Sequence, residues 1–242
     1  MSAPITFIHG WGMTPAVWRP LLAHLDPDRP LRTLALPGHD DAAGEALDTW
    51  IDRLAPALPT DGVLCGWSLG GQLAMRLAQH APDRCARLIL IGTTPCFVQR
   101  PDWSCALDAT TVAGFRHDFD AAPEATAKRF VALQAVGDRA RREVTRTLGA
   151  ALTPIQAHNQ AALADALGVL CDTDLRDTLG RITCPVRILH GAGDALMPAA
   201  AAEAMAEALP EARLSIFDDC GHAPFIGRPR DCAVLIDSFC HD

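Results

Sequence analysis

The stretch Val63-Leu64-Cys65-Gly66-Trp67-Ser68-Leu69-Gly70-Gly71 leaves the chain little choice of local structure. Its apolar start reads as a short buried strand, its glycines as a sharp turn, and residues 72–81 as the helix that follows. Gly66-Trp67-Ser68-Leu69-Gly70 fits the pattern Gly-x-Ser-x-Gly, in which a strand-to-helix turn lifts one hydroxyl above the end of a sheet. A side chain at position 66 or 70 is expected to collide with the neighbouring strand or helix as the turn tightens. Ser68 is then expected in strained backbone at a helix N-terminus, where free N–H groups and the helix dipole favour developing negative charge.

The flanking sequence repeats the same alternation. Residues 5–8 form a short strand running into His9-Gly10-Trp11-Gly12, and Thr14-Pro15 is expected to cap and open a helix. Val17, Trp18, Leu21, Leu22 and Leu25 share one face of that helix. Residues 31–36 read as a second strand stopped by Pro37-Gly38-His39, and Leu47, Trp50, Ile51, Leu54 and Leu58 mark the next helix. A strand over residues 87–91 follows the serine helix. After it, helical periodicity without a strand runs from about residue 95 to 179, with Phe130, Leu133 and Val136 on one face and Leu163, Leu167 and Leu170 on another. Alternation resumes with strands at 186–189 and 213–217 and helices at 198–209 and 231–240.

Apolar strands separated by helices imply an α/β fold, a mostly parallel sheet of about six strands with helices on both faces. The expected organisation is a core of residues 1–94 and 181–242, with residues 95–180 inserted after the fourth strand as a helical lid over the carboxyl edge of the sheet. Ligands bind at that edge in open α/β sheets.

Bulk properties narrow the function. A chain of 242 residues, 49% hydrophobic, is long enough for one large core. Its net charge of −8 argues against nucleic acid or an anionic membrane as partner. No basic, apolar leader opens the sequence and no apolar run is long enough to span a bilayer, so the expected location is the cytoplasm. The nine cysteines are scattered without a Cys-x-x-Cys pair, which speaks for small buried hydrophobes rather than disulfides or zinc. No metal or organic cofactor is expected, and the chain is expected to act as a monomer.

A serine hydroxyl needs a base to take its proton and a third group to orient that base. His222, in Cys220-Gly221-His222-Ala223-Pro224-Phe225, follows the last strand in a loop that reaches the carboxyl edge, and is the expected base. His24, His80, His117, His158 and His241 fall on or beside helices and read as solvated, His190 as a core residue and His9 as a turn residue. Asp194, between the fifth strand and the helix opened by Pro198, is the expected acid; its plainer role is a turn aspartate capping that helix. Asp218 and Asp219 are rivals, but they lie too near His222 in sequence to be its usual partner. The oxyanion formed on attack requires preorganised donors, for which the N–H of Leu69 and that of Trp11 are placed. The Trp11 ring either walls the pocket or only packs.

The motifs His9-Gly10-Trp11-Gly12, Gly66-Trp67-Ser68-Leu69-Gly70-Gly71 and Gly221-His222-Ala223-Pro224-Phe225 resemble α/β-hydrolase signatures, and the order Ser68, Asp194, His222 is that of the family. Trp67 before the serine, with Thr94-Pro95-Cys96-Phe97, Val112-Ala113-Gly114-Phe115 and Arg129-Phe130-Val131-Ala132-Leu133-Gln134, resembles the pimeloyl-[acyl-carrier protein] methyl ester esterases of biotin synthesis. The likeness covers nearly the whole chain, but lacks the paired antiparallel strands usual before the first strand. It implies a serine carboxylesterase that removes the methyl ester from a pimeloyl acyl carrier protein. It further implies that substrate contacts Trp11, Ser68, Leu69, Phe130, Val131, Ala132, Leu133, Gln134 and His222.

The resemblance also matches Arg129, Arg142 and Arg146 to basic positions that hold the acidic carrier. Residues 124–150 carry six basic against three acidic side chains in a chain of net charge −8. Arg142 and Arg146, four apart, share a helical face that is either a docking site or solvated. A broad esterase for short acyl esters is the alternative in the same class, and a non-catalytic ligand-binding protein on this fold the alternative from another. Ser68 excludes the epoxide hydrolases and haloalkane dehalogenases, which require aspartate there.

Overall fold

The computed structural model describes residues 2–39 and 47–241. Its strands are β1 (Ile5–Ile8), β2 (Leu31–Leu34), β3 (Val63–Trp67), β4 (Arg87–Ile91), β5 (Val186–Gly191) and β6 (Ala212–Phe217). They form one sheet in the order β2-β1-β3-β4-β5-β6, and every neighbouring pair is parallel. Its α-helices are α1 (Arg19–Leu22), α2 (Leu47–Leu54), α3 (Leu69–His80), α4 (Ala109–Ala121), α5 (Pro123–Gln134), α6 (Arg141–Ala151), α7 (Gln160–Asp172), α8 (Ala199–Ala208), α9 (Pro224–Gly227) and α10 (Pro229–His241). Four of them, α4 to α7, lie between the adjacent strands β4 and β5. The expected α/β architecture is the observed one.

The two-residue period of a strand divides the core between the sheet faces. Leu64, Leu88, Leu90, Val186 and Ile188 pack with Leu73 and Leu77 of α3 and Met205 of α8. Val63, Cys65, Trp67, Ile89, Ile91 and Leu189 pack on the other face with Leu21, Leu148, Phe225 and Ile236. Parallel strands put all their carboxyl ends at one edge. There the chain leaves β1 for β2 on one side and returns to β3 on the other, which opens a crevice at the point where strand order reverses. The segments after Ile8 and Trp67 border that crevice.

Local expectations shift where tertiary partners compete. The second strand ends at Leu34 rather than at residue 36, because the Leu36 N–H donates to His9 Nε2 at 3.1 Å instead of to the ladder. The first helix is a 3₁₀ turn over Pro15–Trp18 followed by the single α turn Arg19–Leu22. Thr14 does not cap it; its hydroxyl donates to Ala151 O at 3.1 Å and its N–H to the same oxygen at 2.8 Å. Helix α3 begins at Leu69, directly after the serine. Pro198 precedes α8 as its N-cap rather than opening it.

Candidate active site

Ser68 joins β3 to α3 with φ 56 and ψ −123, a region that a non-glycine residue enters only under strain. What forces the turn is close approach. A Cβ on Gly66 would stand 2.3 Å from Gly70 O, and one on Gly70 2.3 Å from Ile8 O, so the helix start lies against both strands. The Ser68 backbone is held on every side: its N–H donates to Ile91 O at 3.2 Å, and its carbonyl accepts from Gly71 N at 2.9 Å and Thr93 Oγ1 at 2.8 Å. Its hydroxyl makes no capping bond.

The loops after β5 and β6 bring Asp194 and His222 together. Asp194 Oδ2 accepts from His222 Nδ1 at 2.7 Å. Its other oxygen accepts the N–H groups of Leu196 and Met197, both at 2.9 Å. The carboxylate therefore orients the imidazole and closes its own turn, but it does not cap α8, whose N-cap is Pro198 without a side-chain bond. Burial pushes the Asp194 carboxyl up, but His222, His190 and the Met197 N–H outweigh it and hold the group below its usual range, so it stays ionised. With Nδ1–H on the carboxylate, a neutral His222 ring would carry its lone pair at Nε2, an atom that is buried and has no hydrogen-bond partner among the described residues. That is the state a general base requires.

The first loop completes the arrangement. A Cβ on Gly10 would lie 3.0 Å from Ser68 Cβ, which puts this loop directly over the serine. Gly12 N–H donates to His39 Nε2 at 2.8 Å and Met13 N–H to Gly10 O at 3.3 Å. Among the described residues the N–H groups of Trp11 and Leu69 have no acceptor, and that of Leu69 is the first of a helix, where none exists within the helix. The Trp11 indole donates to Leu163 O of α7 at 2.7 Å. Its ring meets Phe115, Phe119 and Phe130 edge-on at 5.2 to 6.0 Å between centroids. Each such pair adds about 1 kcal/mol beyond area burial, so this tryptophan ties the loop to the inserted helices.

Beside the acid loop lies an apolar cavity of about 150 Å³, lined by Phe97, Phe115, Phe130, Leu133, Leu167 and Leu196 among others. Leu133, 37% exposed, stands at its rim. A larger cleft of about 800 Å³, between α2, α3 and α7, is lined by Asp48, Arg76, Arg116 and Asp172 and includes none of the residues above. Its charged walls do not suit an acyl chain.

Residues 3–229 match the family model of the alpha/beta hydrolase fold. The chain is 52% identical to the pimeloyl-[acyl-carrier protein] methyl ester esterase of Aromatoleum aromaticum over 98% of both chains. It is 37% identical to the protein of the same name from Nitrosomonas europaea, over 97% of this chain and 94% of that one. The chain belongs to this family of α/β-hydrolases. Its structure superposes on an esterase from Exiguobacterium antarcticum with a TM-score of 0.85 at 22% identity, over 100% of this chain and 94% of that one, a likeness of fold.

In this α/β-hydrolase, the segment from Phe130 to Gln134 divides by helical face. Phe130 and Leu133 line the cavity, whereas Val131 packs with Ala135 and Leu148 in the second core cluster. Ala132 is half-buried and does not line it. Gln134 is buried, and its carbonyl accepts the His222 N–H at 3.1 Å. Asp219 pairs with Arg228 and Asp218 is exposed, so neither meets the imidazole. His24, His80, His117, His158 and His241 are exposed. His190 is buried and donates from Nε2 to Met197 O at 2.7 Å.

Two contributors had no sequence signal. Trp67 reads as a family mark, yet its indole donates to His222 O at 2.9 Å and its ring lies 5.4 Å from the imidazole. His39 reads as a strand stop, yet it is the acceptor that turns Gly12. Burial, then the neighbouring His9, push the His39 imidazole down to about 3, against a raising bond to Pro37. The unfolded chain regains the ordinary value of 6.5. Between these values only the unfolded state binds the extra proton, so stability falls as pH is lowered through the window. The limiting slope is about 1.4 kcal/mol per pH unit. His39→Gln is expected to flatten urea-derived stability between about pH 6 and pH 4 relative to the parent; equal slopes in the two proteins would remove His39 as the source.

Proposed function

We propose that this protein hydrolyses the methyl ester of a pimeloyl acyl carrier protein, in biotin synthesis, through Ser68, His222 and Asp194. Ser68 Oγ attacks the ester carbonyl while His222 Nε2 takes its proton. The oxyanion is held by the N–H groups of Trp11 and Leu69, at the positive end of α3. Collapse expels methoxide, which leaves as methanol with the proton from His222. Water, deprotonated by the same imidazole, then attacks the acyl-serine; collapse breaks the bond to Ser68 Oγ, which takes the proton back from His222, and the acid product departs and ionises in water. No cofactor enters the reaction. The observation that carries the substrate assignment is the 52% identity over 98% of both chains to the Aromatoleum aromaticum esterase of that name. The apolar cavity beside Asp194 supports it, since an acyl chain gains by leaving water there while its ester stays among donors.

We read residues 95–180 as the lid and the carrier as docking on its basic side. Arg129 and Arg146 are exposed, in ion pairs with Asp118 and Glu143, and Arg142 is exposed with no ion-pair partner among the described residues. Exposed pairs contribute little to stability, so an acidic partner exchanges them at little cost. No helix among the described residues is long and apolar enough to cross a membrane; we assign the reaction to the cytoplasm and to the monomer.

The test is methanol release from the carrier-bound pimeloyl methyl ester against a short free methyl ester. Preference for the carrier-bound ester is expected; equal efficiency on both would favour a broad esterase instead. Arg142→Glu with Arg146→Glu is expected to lower kcat/KM on the carrier-bound ester by about tenfold and to spare the free ester. The loss should shrink as salt rises, because screening acts over roughly 8 Å at physiological ionic strength. Equal losses on both esters would mean lid damage, and none on either a solvated face.

A further inference from the structure

The turn that ends α5 reaches past the cavity into the loops that carry the acid and the base. Gly137 has φ +78, and a Cβ there would stand 2.2 Å from Gly193 O, the residue before Asp194. A Cβ on Gly221, the residue before His222, would stand 2.4 Å from Val136 O. The turn is therefore wedged against both loops with no room for a side chain at either contact. Arg139 N–H donates to Asp219 O at 2.9 Å and His222 N–H to Gln134 O at 3.1 Å. The side chain in this clamp that bonds a backbone amide of the base loop is that of Asp138, 7% exposed. Its Oδ1 accepts Ala140 N–H at 2.7 Å, which closes its own turn. Its Oδ2 accepts the Gly221 N–H at 3.3 Å.

We propose that Asp138 is a positioning residue for His222, holding the amide before the base so that the imidazole keeps its bond to Asp194 and its Nε2 stays free for the serine proton. The geometry that supports this is the pairing of successive amides: Asp138 takes that of Gly221 and the Gln134 carbonyl takes that of His222. Both acceptors lie at the end of the helix whose Phe130 and Leu133 line the cavity, so the cavity wall and the base share one support. Removing the carboxylate leaves two amides without their acceptor and frees the loop to shift. A displacement near 1 Å at a reacting group lowers turnover by about 10².

The inference rests on His222 as the base, so His222→Ala belongs in the same experiment. Turnover of a small free ester, which needs no carrier docking, is measured at 25 °C per site titrated with a serine-directed phosphonate. Asp138→Ala is expected to lower kcat by about 10² with KM within about twofold. Asp138→Asn keeps the volume and one acceptor oxygen but turns an NH₂ toward the second amide, and should recover part of the loss, to about tenfold below the parent. Should the alanine variant not fold, the asparagine variant decides. A merely structural role would lower the melting temperature and leave kcat per titrated site unchanged. A kcat within about twofold of the parent in the folded variants, or a rise in KM alone, overturns the proposal. If His222→Ala itself turns over normally, it is the base assignment that fails; if His222→Ala is inactive and Asp138→Ala is not, only the positioning role does.

Discussion

Ser68→Ala is expected to yield a folded protein that turns over ester about 10⁶-fold more slowly than the parent. In the proposed mechanism the hydroxyl is the attacking atom, and the structure gives it no second role. It caps no helix, and the turn is held by backbone bonds from Ser68 to Ile91, Gly71 and Thr93 that alanine retains. The stability change should therefore be small, within about 0.5 kcal/mol. Residual hydrolysis above the rate in water is expected from the donors at Trp11 and Leu69 alone. Ser68→Gly makes the strain measurable. Only glycine occupies φ 56, ψ −123 without steric cost, so the glycine variant should exceed the alanine variant in stability by about 1 kcal/mol while equally inactive. Methanol release and urea unfolding on both variants decide the matter; near-parental hydrolysis by Ser68→Ala would remove Ser68 from the mechanism.

Asp194→Asn should cost about 10⁴ in kcat, and the hydrogen bonds say why. Two backbone N–H groups, of Leu196 and Met197, converge on Oδ1 at 2.9 Å and require an acceptor there. An asparagine must place its carbonyl oxygen on them and its NH₂ toward His222. The imidazole then has to accept at Nδ1, which moves its proton to Nε2 and leaves no lone pair for the serine proton. The loss should appear in kcat more than in KM, because the defect is in proton transfer rather than in binding. Asp219→Asn, which disturbs a half-buried carboxylate paired with Arg228 and away from the imidazole, is the control and should stay within a few-fold of the parent. A large loss in Asp219→Asn or Asp218→Asn with a small one in Asp194→Asn would transfer the role of acid.

How far the sequence carries can be read residue by residue. The alternation of apolar strands with amphipathic helices was enough to expect the parallel sheet, because a strand buried on both faces must be apolar throughout its length. The turn at Ser68 was legible because its pattern is local: Gly66 meets Gly70 across the same turn, although Gly70 in turn meets Ile8 of the neighbouring strand, a contact that only the sheet brings about. The order of Ser68, Asp194 and His222 was legible because each follows a strand, and parallel strands end at one edge. The faces of α5 were only half legible, since Phe130, Val131 and Gln134 are all buried but against different neighbours.

The remaining determinants span distance along the chain. Trp67 holds the carbonyl of a residue 155 positions away, Asp138 an amide 83 away, and His39 an amide 27 away. Thr14 gave up a helix cap for a carbonyl 137 positions on. No periodicity or composition records such pairs, because a polar side chain in sequence shows only that it needs a partner when buried, not which one it meets. Local sterics and burial pattern thus specify where strands, turn and nucleophile fall, since those depend on neighbours a few residues apart. Which imidazole burial holds neutral, which carboxylate clamps a loop and which tryptophan braces His222 follow from segments meeting across the sheet edge, where the loss of water gives each hydrogen bond its weight.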